Sequence, residues 1–178
     1  MRKILLFLFI ITGLSAFELD RGTISIQAKI YPQLIFFSQK AKEFNSQKQL
    51  TIAAIYGDGG KKYAEIFKEE VEKLYPNGIK GVKIAVKIIP KDKLIKEREL
   101  VASYVIFDED DVSQITNIDE FKGSITFAAT RKVFSKNGAM FYVEITHKTS
   151  ILLNKKTLLN SQVSFDPSLL KIVKVYDE

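Results

Sequence analysis

Cysteine and tryptophan are both absent from the 178-residue chain, and there is one histidine, His147. Without cysteine there is no disulfide, no thiolate nucleophile and no zinc–thiolate site. One imidazole cannot build a histidine-rich metal site. A Ser-His-Asp triad would have to use His147 as its base, and no G-x-S-x-G nucleophile elbow accompanies it. His147 lies between two strand-like runs and reads as a turn residue. The sequence therefore carries no catalytic set, no resident cofactor and no metal site, and it is read as a non-enzyme. Low-complexity and repeated segments are missing too. With 46% apolar and 27% charged residues, the composition is that of an ordinary globular domain.

Long apolar runs are scarce, and the longest opens the chain. Arg2 and Lys3 precede an unbroken run from Ile4 to Ile11, which ends in Thr12-Gly13-Leu14-Ser15-Ala16. A basic start, a short apolar stretch and small residues make a secretory signal peptide. Cleavage after Ala16 is the natural choice, although Leu14 is larger than the alanine usual at that place. The alternative is a retained anchor, but the run falls short of the roughly 18 to 20 residues that a span needs. No cysteine follows it, so a lipoprotein anchor is excluded. The expectation is a signal peptide over 1–16, a single domain over 17–178, and a periplasmic location with no span left after processing.

Positive charge is in mild excess, +6 over the whole chain. Losing Arg2 and Lys3 leaves 25 basic against 21 acidic residues, or +4. Lys61-Lys62, Lys91 to Lys96 and Lys155-Lys156 are scattered rather than gathered on one face. That scatter reads as a solubilising surface and argues against nucleic acid as a partner.

The apolar periodicity predicts alternating elements. Thr23 to Phe44 reads mainly as helix, kinked or restarted at Pro32, though Ile24, Ile26, Ala28 and Ile30 also fit a short strand. Leu50 to Tyr56 is a buried strand running into Gly57-Asp58-Gly59-Gly60. Lys61 to Tyr75 is an amphipathic helix stopped by Pro76-Asn77-Gly78. Val82 to Ile89 alternates apolar residues with Lys83, Ala85 and Lys87, as a half-exposed strand near a sheet edge would. Pro90 to Leu100 is a connector, Val101 to Phe107 a strand, Val112 to Phe121 a short helix and Ser124 to Ala129 a strand. The turn Lys136-Asn137-Gly138 leads into Ala139 to Ile145, and Thr149 to Leu153 is the last strand expected. Terminal helices split by Pro167 should follow. The predicted fold is a three-layer α/β sandwich with a largely parallel central sheet, helices on both faces and a C-terminal antiparallel hairpin.

Ligands of open α/β folds bind at the carboxyl edge of the sheet. The candidates there are Gly57, Asp58, Gly59, Gly60, Asp108, Thr130 and Arg131. The glycine turn fails the G-x-G-x-x-G spacing, because Lys62 stands where the third glycine belongs, and it fails the P-loop spacing as well. It reads as a plain turn and helix cap, or as a turn whose N–H groups touch a small anion. Asp108-Glu109-Asp110-Asp111 reads as a cap for the helix near Val112, or as a ligand set for a hard cation. With Asp58 and Thr130 these acids resemble a phospho-receiver's acidic end, but an exported protein meets no phosphodonor.

The C-terminal third carries a family resemblance. Gly138 and Met140 stand near a "G-G-M-I-x-F" strand. Ile151 to Asn154 stand on an "R-F-E-I-N" strand, with Asn154 as its Asn, and Ser168-Leu169-Leu170 stand on a closing "S-S-x-L-L-x-L-A". Leu50 to Asp58 is similar to an "L-x-x-x-V-x-G-x-D" opening strand. In this order the chain resembles the YfiR family of periplasmic proteins over most of 24–174. It departs where Ser150 replaces the family's Arg and Leu153 its Glu, and it lacks the family's cysteines. The resemblance implies a regulator that restrains a membrane-bound sensor or diguanylate cyclase, and hence cyclic-di-GMP signalling, by protein–protein contact with the partner's periplasmic domain. It also implies a dimer. The second function expected is a periplasmic protein that binds a small anion or nucleotide and feeds a sensor or transporter.

Overall fold

The structure is a computed structural model and describes residues 19–41, 49–96, 100–108 and 123–177. The expected signal peptide, the acids Glu109 to Asp111 and the expected helix from Val112 to Phe121 lie outside the described residues. The fold is α/β, with one seven-stranded sheet in the order β2-β1-β3-β4-β5-β6-β7. Its strands are β1 (Gln49–Tyr56), β2 (Lys83–Pro90), β3 (Ala102–Ile106), β4 (Ile125–Ala128), β5 (Phe141–Ile145), β6 (Thr149–Asn154) and β7 (Val173–Tyr176). The first five run parallel to one another. β6 pairs antiparallel with β5, and β7 pairs parallel with β6, so the last two strands run against the rest.

Among the described residues two helices cover one face, α1 (Arg21–Ile35) and α2 (Lys61–Leu74). The other face carries the 3-10 turn Lys91–Lys96 and the short helix α3 (Arg131–Ser135), with α4 (Lys155–Asn160) following β6. Strand alternation sorts the core between these layers. Ile52, Ala54, Tyr104, Ile106, Phe127, Phe141 and Leu153 face α1 and α2. Ala53, Ile55, Val105, Ala128 and Leu152 face Leu94, Val133 and Phe134. β2 alternates as its sequence demands: Ile84 and Val86 are buried, whereas Lys83 and Lys87 are exposed.

The helical reading of the first segment holds, with different bounds. Asp20 caps α1, its Oδ1 accepting from Thr23 N at 3.0 Å. Ile24, Ala28, Tyr31 and Ile35 then recur on the buried side at helical spacing, which decides against the strand. Pro32 sits inside the helix and does not break it, and α1 ends at Ile35.

α1 carries a buried polar stripe as well. Tyr31 donates its hydroxyl to Ala128 O at 2.8 Å and accepts from Val143 N at 3.1 Å. β4 and β5 share one residue pair, Phe127 with Phe141, so the phenol bridges the two strands where direct pairing stops. Gln27 donates to Ala129 O at 2.9 Å and accepts from the Tyr104 hydroxyl at 2.5 Å. Burial pushes both phenols well above their ordinary pKa, which keeps them protonated and able to donate. Rings stack around them, Tyr31 on Phe127 at 4.5 Å and Tyr104 on Phe67 at 4.0 Å.

The C-terminal end corrects the sequence reading. Leu169, Leu170, Ile172 and Val173 do not build a terminal helix. Pro167–Lys171 is a 3-10 turn capped by Asp166, and Val173–Tyr176 forms β7 beside β6. Leu169 is buried while Leu170 and Ile172 are exposed, so one short turn suffices to bury the apolar residue that matters. Thr149–Asn154 is therefore not the last strand.

Glu70 ties α2 to α1. Its buried carboxylate accepts from Arg21 Nη2 at 2.9 Å and from Ser25 Oγ at 3.1 Å, and these contacts, Arg21 first, hold its pKa below the usual value. A depressed carboxylate stabilises the fold above its unfolded pKa of about 4.3, and that contribution goes as pH falls through the lower folded value. Urea titrations should show a stability loss below about pH 4 that is smaller in Glu70→Gln. An identical acid slope in the variant would contradict the assignment.

Candidate functional site

The carboxyl edge of the sheet holds the expected residues, in two groups. The first is the turn after β1. Gly60 N donates to Gly57 O at 3.1 Å, and Gly59 takes φ +71°, as the third position of a type II turn requires. Gly57 N reaches Ile106 O at 3.0 Å and so prolongs the β1–β3 ladder beyond Tyr56 and Ile106. Gly60 lies so close to this seam that a Cβ there would meet Ile106 O and Tyr56 Cβ at 3.1 Å. The chain leaves β1 toward β2 and leaves β3 toward β4, so the seam is the topological switch point, where open α/β folds take ligands.

Gly60 is also the N-cap of α2, and no side chain caps that end. Its carbonyl accepts from Tyr63 N and Ala64 N. Asp58 is exposed and pairs with Lys91, the residue after β2, at 3.7 Å. Lys61 pairs along α2 with Glu65, and Lys62 lies 4.7 Å from the Tyr63 ring centre. Asp108 is half-buried just past β3. The edge thus offers an uncapped helix N-terminus, one lysine and a carboxylate beside each other. That set fits a small polar ligand carrying both charges.

The second group, Thr130 and Arg131, stands one strand further along. Thr130 caps α3, its Oγ1 accepting from Val133 N at 3.3 Å, and Arg131 forms an ion pair with Glu144 of β5. His147 is exposed in the turn between β5 and β6. Among the described residues no three His, Cys, Asp or Glu side chains gather as a metal site would need.

Three positions of the family resemblance, Gly138, Met140 and Asn154, come together elsewhere, around buried Asn154. Its Oδ1 accepts from Thr157 N at 2.9 Å and caps α4. Its Nδ2 donates to Asn137 Oδ1 at 3.0 Å and to Phe134 O at 3.3 Å. Its backbone N–H donates to Met140 O at 2.8 Å, and Met140 N donates to Thr126 Oγ1 at 2.8 Å. Gly138 N donates to Val133 O at 2.9 Å and closes the turn after α3. Asn154, at the end of β6, therefore ties together α3, the 137–138 turn, Met140 ahead of β5, and the start of α4. Ser168 N bonds Asp166 Oδ1 at 2.8 Å, Leu169 is buried and Leu170 is exposed.

Sequence reasoning missed Lys91 and the Gln27–Tyr31–Tyr104 stripe. Lys91 was open to discovery, since it follows β2 as Asp58 follows β1. A glutamine at a core spacing of α1 was the signal for the stripe.

The fold is one that other proteins share. No family model matches the sequence, and no curated protein matches it. Among solved structures, the chain is similar to an ABC domain in complex with L-Trp from Streptococcus pneumonia, with a TM-score of 0.54 and 14% identity over 86% of this chain and 60% of that one. It is also similar to a conserved domain protein from Vibrio cholerae O1 biovar El Tor, with a TM-score of 0.51 and 9% identity over the same shares. The chain spans about 60% of the length of these two proteins. At such identities the likeness establishes the α/β fold.

Proposed function

We propose that the protein is an exported binding protein of the YfiR type, which restrains a membrane-bound signalling protein such as a diguanylate cyclase by contact with its periplasmic domain. The supporting observation is the Asn154 node. The positions at which the chain resembles that family include Asn154, which links β6 to α3, the 137–138 turn, α4 and Met140, itself a resemblance position. A protein that works by contact needs a rigid surface and no reacting groups, and its energy comes from an apolar patch framed by charge. Deleting the protein from its own cell should raise cyclic-di-GMP and surface attachment, and restoring it should reverse both. An unchanged cyclic-di-GMP level in a cell that holds such a cyclase would contradict the reading.

A second reading, small-ligand binding, is favoured by the β1–β3 seam. The turn 57–60, the open start of α2, Lys91 and Asp58 suit an amino-acid-like zwitterion, and a protein of similar fold was solved with L-Trp. Binding at a hundredfold excess over Kd should raise Tm by about 5 to 10 °C. Thermal melts with L-tryptophan, other amino acids and inorganic phosphate measure this. The shift should shrink in Gly60→Val, whose side chain crowds Ile106 O. Flat melts with every probe would dismiss this reading and leave the first intact.

A further inference from the structure

Two of the turns carry asparagine before glycine, Pro76-Asn77-Gly78 and Lys136-Asn137-Gly138, and these are the only Asn-Gly pairs in the chain. Glycine has no Cβ to shield its own backbone nitrogen, so that nitrogen can reach the side-chain amide of the asparagine before it. The reaction that follows needs only water. The glycine nitrogen gives its proton to solvent and bonds to the asparagine Cγ, the Cγ–Nδ2 bond breaks, and Nδ2 leaves as ammonia. Water then opens the resulting five-membered imide. Breaking the new N–Cγ bond gives aspartate. Breaking the original peptide bond gives isoaspartate, in which the main chain runs through Cγ and is longer by a carbon.

The fold treats the two pairs differently. Asn137 is half-buried and held on three sides. Its Oδ1 accepts from Asn154 Nδ2 at 3.0 Å, its N–H donates to Phe134 O at 3.0 Å, and its carbonyl accepts from Thr157 Oγ1 at 3.4 Å. The attacking atom, Gly138 N, is bonded to Val133 O at 2.9 Å. Bringing Cγ onto that nitrogen requires the node around Asn154 to open. Asn77 is exposed, and among the described residues no hydrogen bond holds its side chain. Gly78 N is restrained by a bond to Tyr75 O at 3.0 Å, in the turn that follows α2. An exposed turn opens at far lower cost than a packed node. We propose that Asn77 is a site of spontaneous conversion to aspartate and isoaspartate, and that the Asn154 node protects Asn137 from the same reaction. This rests on the two turns alone and does not depend on the proposed function.

The place gives the modification a structural consequence. Gly78 has φ +74°, and a Cβ on it would collide with Val82 O. Ile79 N donates to Val82 O and Val82 N to Ile79 O, both at 2.9 Å, and this closed turn delivers the chain into β2. A longer backbone just before Gly78 pulls against that turn. Isoaspartate at position 77 should therefore loosen the entry to β2, whereas aspartate, with the ordinary backbone, should leave it closed.

The test incubates the full folded chain in warm, mildly alkaline buffer and then digests it with trypsin. Cleavage after lysine puts the two asparagines in separate peptides, 74–80 and 137–148, neither of which holds another side-chain amide. Mass spectrometry should show the amide-to-acid mass gain at Asn77 at least about tenfold faster than at Asn137, as the extra hydrogen bonds on Asn137 require. In the chain unfolded by urea the two sites should react at similar rates, which assigns the difference to the fold. Hydrogen exchange on the separated isoaspartate form should show lost protection at the Ile79 and Val82 amides, and Asn77→Gln aged in parallel should keep it. Equal rates in the folded chain would overturn the proposal. So would a folded Asn77 that stays intact while the unfolded chain reacts, or a difference of the same size that persists in urea. None of these results bears on the proposed function, which is read from cyclic-di-GMP.

Discussion

A phenol hydroxyl extends the short seam between the two halves of this sheet, where Phe127 pairs with Phe141 and Met140 N donates to Thr126 O. β4 and β5 meet at a single residue pair and then part. Past that point Tyr31 takes the place of the missing rung, between Ala128 O and Val143 N. Without it, two buried backbone groups would lack that partner, and buried polar groups that go unmet are costly. Gln27 does similar work one turn earlier, linking Ala129 O to the Tyr104 hydroxyl. α1 is therefore more than an apolar cover. It holds the parallel, doubly wound half and the C-terminal half in one frame.

Both functional readings depend on that frame. The β1–β3 seam belongs to the first half, where Gly60 is pressed against Ile106 O and α2 begins without a capping side chain. The Asn154 node and β7 belong to the second. A ligand at the seam and a protein on the C-terminal surface would meet different elements, so the two readings separate in space.

The parts of the fold legible in the sequence were those whose pattern has one period. Leu50 to Tyr56 read as a buried strand from its β-favouring run into a glycine turn, the alternation of Val82 to Ile88 read as a strand with a wet face, and Ala64, Phe67 and Val71 marked the buried side of α2. The hairpin of β5 and β6 was legible because apolar runs flank the polar stretch Thr146 to Thr149. Leu169, Leu170, Ile172 and Val173 misled because their spacing fits a helix, while only Leu169 is fully buried. A four-residue strand is too short to show a period of its own, and the parallel neighbour that orders it lies about twenty residues away. The candidate site was legible as an edge, since Asp58, Asp108 and Thr130 each follow a strand. Its partners were not, because Lys91 with Asp58 and Arg131 with Glu144 are paired by the sheet and not by sequence spacing.

The central claim is that the Tyr31 hydroxyl replaces a rung between β4 and β5, and amide hydrogen exchange in Tyr31→Phe addresses it directly. The ring remains and only the oxygen goes, so stacking on Phe127 should persist. The Val143 amide should exchange far faster than in the unaltered chain, with a global destabilisation of about 2 to 3 kcal/mol. Protection at Val143 equal to that of the unaltered chain would contradict the account.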